Sequence, residues 1–356
     1  MAGKDTIRDG SYRFYYPDGT LWQEGSYTND QLNGKWIINY PDGSLKEVLP
    51  YKNGVLNGVL KHYSEDASLA QLASYKNDTL NGKVLTFNSA SVLVEISNYK
   101  NGKLHGTVMA FFDDGRLRFR KKYRNGLENG PVLINYENGK IREKSKKQDG
   151  KYVGRFRAYY KEYENGALQK ECQYKNGKLD GKFTGYYPSG AIMISSFYVS
   201  DSIPGEYIKY FDAGIKGEAG VVQERGKFRD YKKQGVWKSY YPSGNLYTVG
   251  EFNAGKFEGK WQVYHENGDL KQEGFYTSGI AEGEYRMYYD SGELKNIGYY
   301  KNDLKTGEWK TFYKSGKIMT IINFQDGMRH GPASAYNEEG ELVEQYNYEN
   351  GREISE

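Results

Sequence analysis

Gly34-Lys35-Trp36-Ile37-Ile38-Asn39-Tyr40-Pro41-Asp42-Gly43-Ser44-Leu45 runs straight into Lys46-Glu47-Val48-Leu49-Pro50-Tyr51-Lys52-Asn53-Gly54. Two short apolar-rich runs flank Pro41-Asp42-Gly43, and the second ends on Asn53-Gly54. Pro-Asp-Gly suits a three-residue hairpin loop, in which proline and aspartate take a type I turn and glycine the left-handed position after it. Proline has no N–H to give a sheet ladder, so it belongs at the turn and not inside a central strand. Asn-Gly suits a tight turn at the opposite end. The stretch therefore predicts a β-hairpin with strands of about six to eight residues.

Outward from this unit the pattern repeats. Its first glycine recurs at Gly10, Gly34, Gly58, Gly82, Gly106, Gly130, Gly154, Gly181, Gly205, Gly235, Gly259, Gly283, Gly307 and Gly331. Eleven of the thirteen intervals are 24 residues; the other two are 27 and 30. With this glycine as position 1 of each repeat, position 6 is Tyr or Phe in twelve copies and position 7 in ten. Position 12 is Leu or Ile in all copies but one, where Lys216 stands, and position 18 is aromatic except at Lys147. A fixed period of this length marks a repeat array in which each unit packs on its neighbours.

The predicted fold is all-β: an elongated single-sheet antiparallel meander of about fourteen hairpin repeats. Residues 1–9 form an N-terminal tail, 10–351 the array and 352–356 a C-terminal tail. Alternation along a strand puts positions 6, 12 and 18 on one face and positions 3 and 7 on the other. Position 3 carries four of the five tryptophans, Trp36, Trp237, Trp261 and Trp309, which are read as a candidate aromatic surface.

Composition bounds the function. Hydrophobic residues are 37% of the 356, with 36 Tyr and 44 Gly, too few aliphatic side chains for a large compact core and too many aromatics for disorder. The polar N-terminus carries no signal peptide, which favours the cytoplasm, with a removed leader leaving the surface or periplasm open. No apolar run approaches the roughly 20 residues of a membrane helix. Cys172 is alone, and His62, His105, His265 and His330 lack metal-ligand spacing. Asp18, Asp42, Asp114 and Glu137 sit at turns, where turn chemistry accounts for them. Catalytic, cofactor and metal residues are expected to be none, and the chain is not expected to be an enzyme.

The stretch Gly34 to Gly54, and equally Gly307-Glu308-Trp309 through Phe324-Gln325-Asp326-Gly327, resembles the MORN repeat family, most closely its bacterial variant. The resemblance covers Gly10 to Gly351. It implies a scaffold, a membrane-associated module or a protein-binding array, and among bacterial relatives an antitoxin-like label of the YwqK type. It implies no catalytic residues. The Tyr-Tyr-x-x-Gly runs also resemble the choline- or glucan-binding repeats of Gram-positive surface proteins, which would make the chain a glycan binder.

Departures from regularity are where specific function is sought. Repeats 3 and 4 replace the turn glycine within Ser64-Glu65-Asp66-Ala67-Ser68 and Asn88-Ser89-Ala90-Ser91. Repeat 7 gains three residues near Lys161-Glu162-Tyr163, and repeat 9 gains six between Lys216 and Gly226. Between Arg116 and Arg157 there are 14 Lys or Arg against 4 Asp or Glu, a net of +10; the whole chain is +4, so the rest is −6. Arg116, Arg118, Arg120 and Lys122 hold positions 11, 13, 15 and 17 of repeat 5, and Lys140, Arg142, Lys144 and Lys146 hold the same positions of repeat 6. Alternation predicts these eight on one face, on strands about 10 Å apart. They form either a solubilising face or an anion-binding patch. For the patch, the candidate partners are an acidic protein surface or an anionic membrane surface, with nucleic acid last; a glycan would instead stack on the aromatic faces.

Overall fold

The computed structural model describes residues 7–163, 166–203 and 205–354, and the described residues form strands and turns without a helix. The chain divides into two compact units, Met1–Leu168 with Tyr174–Lys178, and Gln169–Gln173 with Leu179–Glu356. Within each, strands follow one another in chain order as an antiparallel meander.

Both turns take the form their residues demand. In repeat 1 the Tyr16 N–H donates to the Thr20 carbonyl at 2.8 Å, the Gly19 N–H donates to the Tyr16 carbonyl at 3.0 Å, and Gly19 lies at φ 86°. At the opposite end Asn53 and Gly54 both have positive φ, 52° and 79°, as a two-residue type I′ turn requires. Where Asp takes the place of that glycine, its carboxylate has a compensating role. Oδ1 of Asp30, Asp78, Asp201 and Asp303 accepts the backbone N–H of Arg8, Leu56, Leu179 and Ala281 respectively, at 2.8, 2.7, 2.6 and 2.6 Å. The last three bonds tie a turn to the repeat before it, and the first ties repeat 1 to the segment that precedes it.

Repeats 3 and 4 keep the loop without its glycine. Ala67 and Ser91 sit at φ 61° and 57°, and their N–H groups close the turn on Ser64 and Asn88 at 2.9 Å each. The left-handed region costs a residue with a Cβ about 1 kcal/mol. Ala67→Gly and Ser91→Gly are therefore each expected to raise the urea midpoint by an amount worth about 1 kcal/mol; an unchanged midpoint for both would mean the turns are not held in this form.

The insertion of repeat 9 differs from its sequence reading. Tyr210 pairs with Val222, so Val222, not Lys216, occupies the position-12 register. The added residues loop out and close on repeat 8: the Gly217 N–H donates to the Gly190 carbonyl at 2.9 Å and the Ile192 N–H to the Glu218 carbonyl at 2.8 Å. The extra residues of repeat 7 fall partly on 164 and 165, outside the described residues. At the C-terminal end Arg352–Ile354, assigned to a tail from sequence, is a strand paired with Asn347–Glu349.

The faces differ from those that strict alternation predicts. In repeat 1 the register runs Tyr12↔Gly25, Phe14↔Gln23, then Tyr15↔Leu21, so one residue at position 13 is bulged out. The same shift recurs in later repeats. A single extra residue inverts the parity of everything beyond it. Positions 3, 5, 14, 16, 18 and 23 therefore share one face, and positions 2, 4, 6, 12, 15 and 17 the other. The position-18 aromatics pack with position 3, not position 6: Tyr27 meets Trp36 edge-on at 5.5 Å, and Tyr300 meets Trp309 at 5.1 Å.

The core lies on that aromatic face. Trp36, Trp237 and Trp309 are only 6%, 3% and 6% exposed and Trp261 is half-buried, so these rings are packing and not a presented surface. Each lies flat on a glycine at position 16 of the preceding repeat. A Cβ on Gly25, Gly226, Gly250 or Gly298 would come within 1.9, 2.3, 1.8 or 2.2 Å of the tryptophan ring. Where position 3 is smaller, position 16 grows: Ala73 faces Val84, and Ile322 faces Ala333. Successive repeats are also stapled at the loop end. The position-7 hydroxyls of Tyr16, Tyr40, Tyr136, Tyr187, Tyr241, Tyr289 and Tyr313 donate to the position-6 carbonyl of the next repeat at 2.7 to 2.9 Å.

Candidate functional site

The strands Leu117–Arg124 and Ile141–Gln148 each alternate half-buried and exposed residues. Among the exposed residues are Arg118, Arg120 and Lys122 of the first and Arg142, Lys144 and Lys146 of the second. Leu127–Asn135 lies between them, and its Leu133 pairs with both Arg120 and Lys144. Two strand spacings separate the cation rows by about 10 Å. These six side chains carry no ion pair among the described residues.

The outermost two of the eight are differently placed. Arg116 is held by Asp114 through Nη2 at 2.5 Å, and Lys140, which is half-buried, donates to the Tyr163 carbonyl at 3.1 Å. The structure thus brings four of the eight, Arg120, Lys122, Lys144 and Lys146, together as free cations on the open face, whereas Arg118 and Arg142, the bulged residues of their strands, lie with the aromatic-face side chains Phe119, Lys121 and Ile134, Arg118 over the Phe119 ring at 5.4 Å. Thr107, Pro131 and Leu133 floor a shallow depression between Arg120, Lys122 and Lys144.

Parity also decides where the neighbouring carboxylates go. Glu95, Glu128 and Glu143 pair with or lie in register with the aromatic-face positions. No carboxylate lies on the open face of the strands from Lys83 to Arg157. The field of these four cations is therefore not cancelled within the sheet, and at about 8 to 10 Å, the screening length of physiological salt, they act together on an anion.

Directly behind the patch the aromatic face carries a feature that alternation alone did not reveal. Glu128 holds position 23, where earlier repeats have Leu32, Leu56, Leu80 and Leu104. It receives Lys121 Nζ at 2.6 Å and Lys147 Nζ at 2.5 Å, and all three side chains are largely buried. Burial works to raise the Glu128 pKa, but the hydrogen bonds from Lys121 and Lys147 outweigh it and leave the group below its ordinary value. Tyr123 is pushed up to about 12 by burial and by the Glu128 charge, and Tyr152 likewise by burial and Glu143. Lys147, the one non-aromatic at position 18, stacks over the Tyr152 ring at 4.7 Å. The two strands thus send paired lysines inward and unpaired cations outward.

The family profile described as "MORN repeat variant" matches residues 8–29, 32–53, 158–176, 233–254, 257–277, 281–302, 305–326 and 329–350. The basic patch lies between the second and third matched segments, in repeats that fold as the same hairpin. No curated protein matches the sequence. Among solved structures, the chain aligns with a crystal structure of TcdB2-TccC3-Cdc42 at 10% identity, covering 96% of this chain and 26% of that one with a TM-score of 0.15. It aligns with a Photorhabdus luminescens Tc holotoxin pore at 11% identity, covering 97% and 21% with a TM-score of 0.16. The chain spans about a quarter or less of the length of those proteins, and scores this low carry nothing over to it.

Proposed function

We propose that this chain, a protein of MORN repeats, is a non-catalytic scaffold that binds an acidic protein surface on the open face of repeats 5 and 6. The observation that carries the reading is the set of four exposed, unpaired cations, Arg120, Lys122, Lys144 and Lys146, on a face without a strand carboxylate from Lys83 to Arg157. A face meant only to keep the sheet soluble gains from mixed charge; a single-sign field favours a partner of opposite sign. The shallow apolar floor of Pro131 and Leu133 suits a polypeptide, which brings side chains as well as charge. The glycan reading required presented aromatic rings, and burial of Trp36, Trp237 and Trp309 removes most of the proposed row.

Binding of a polyglutamate peptide, followed by fluorescence anisotropy, tests the proposal. The protein is expected to bind it, with affinity falling as salt rises. The variant R120E/K122E/K144E/K146E is expected to bind at least about tenfold more weakly. Equal binding by the variant would reduce the patch to a solvated face. Binding to phosphatidylserine vesicles without binding to the peptide would assign the patch to a membrane and contradict the protein reading.

A further inference from the structure

The complement to the basic patch is present in the same sequence. Outside Arg116–Arg157 the chain has a net charge of −6, and Glu338 to Glu353, with six Glu against Arg352 alone, supplies −5 of it. These residues form the hairpin of repeat 14, whose strands are Met328–Tyr336 and Leu342–Glu349. Glu338, Glu339, Glu341, Glu344, Glu349 and Glu353 are all exposed, and none is in an ion pair among the described residues. Glu338, Glu339 and Glu341 crowd one turn around Gly340, whose φ of 91° closes it. Beside them Leu342 and Val343 are 53% and 60% exposed, apolar side chains that a monomer leaves in water.

We infer that the basic face of repeats 5 and 6 receives the acidic hairpin of repeat 14 from a second copy of this chain. The assignment rests on the reading of the patch as a site for an acidic polypeptide, and it names that polypeptide. Two charge concentrations of opposite sign, each unpaired within its own unit, form a heterologous head-to-tail pair in which every copy offers both halves. Leu342 and Val343 have an apolar counterpart in the floor of Pro131 and Leu133 between the cation rows. Because the contact is largely electrostatic, it forms in dilute salt and is weakened by concentrated salt.

Sedimentation velocity over a protein concentration series tests the inference. Association is expected at about 50 mM salt and dissociation at about 500 mM, where the screening length is only a few ångströms. R120E/K122E/K144E/K146E and E338K/E339K/E344K are each expected to weaken self-association at least about tenfold, and the two sets combined in one chain to restore it to within about threefold. Thermal melts confirm that each variant is folded. A wild-type chain that stays monomeric in dilute salt, or association unmoved by the hairpin reversal, would overturn the second copy as partner. The site reading survives that result if the patch reversal still abolishes polyglutamate binding, and falls with it if polyglutamate binding is unmoved.

Discussion

Gly298→Ala is expected to destabilise the protein by about 3 kcal/mol, and Trp309→Val in the same chain to recover most of the loss. The added Cβ would sit 2.2 Å from the Trp309 ring, which is 6% exposed and cannot swing away without leaving its packing against Tyr285 and Tyr300. The ring is further held by Nε1 donating to the Tyr299 carbonyl at 3.2 Å and by Lys305 Nζ over its face at 4.2 Å. Trp309→Val alone is expected to cost about 3 kcal/mol through the void it leaves. The double variant recreates the Ala73–Val84 pair already present between repeats 3 and 4. A denaturation cycle over the four proteins measures the coupling, and simple additivity of the two losses would show that glycine and tryptophan do not share the site described.

Glu128→Leu is the second large expected effect. Lys121 and Lys147 are 22% and 20% exposed and are both paired to this carboxylate, so its removal strands two partly buried cations and costs about 3 kcal/mol. It also takes the acceptor from the Tyr123 hydroxyl. Replacing all three groups, as E128L/K121S/K147Y, restores the residue types of Leu104, Ser97 and Tyr123 at the equivalent positions. That variant is expected to be within about 1 kcal/mol of wild type or more stable. The pH dependence follows from the lowered pKa of Glu128. Its contribution is complete above the ordinary carboxylate value of about 4.3 and is lost as pH falls through the lower folded value. The triple variant is therefore expected to lose less stability than wild type in melts taken below about pH 4. Parallel acid curves would remove Glu128 from the account.

The sequence disclosed the period, the hairpin and both turn types, because glycine, proline and asparagine mark backbone conformations that few other residues adopt. It did not disclose the faces. One bulged residue per repeat, such as Trp22 or Arg118, leaves no compositional mark, yet it moves every position-18 aromatic from the side of position 6 to the side of position 3. A signal was nonetheless available: glycine at position 16 precedes each position-3 tryptophan, as Gly25, Gly226, Gly250 and Gly298 precede Trp36, Trp237, Trp261 and Trp309. The cation rows were legible only in part: Arg120 with Lys122 and Lys144 with Lys146 lie beyond the bulge and share a face, but Arg118 and Arg142 are the bulged residues and fall on the other side. The inward triad was not, because Glu128 belongs to the next strand and finds Lys121 and Lys147 only across the ladder.

The most direct test of the central claim separates the position of the charges from their number. Lys178, Lys232, Lys256 and Lys301 are exposed lysines outside repeats 5 and 6. Their joint reversal to glutamate changes net charge by the same amount as R120E/K122E/K144E/K146E. Polyglutamate affinity measured for the two variants at one salt concentration is expected to fall at least about tenfold more for the patch variant than for the scattered one. Equal losses in the two would show that the protein binds anions through its overall charge and that the ordered face of repeats 5 and 6 is not a site.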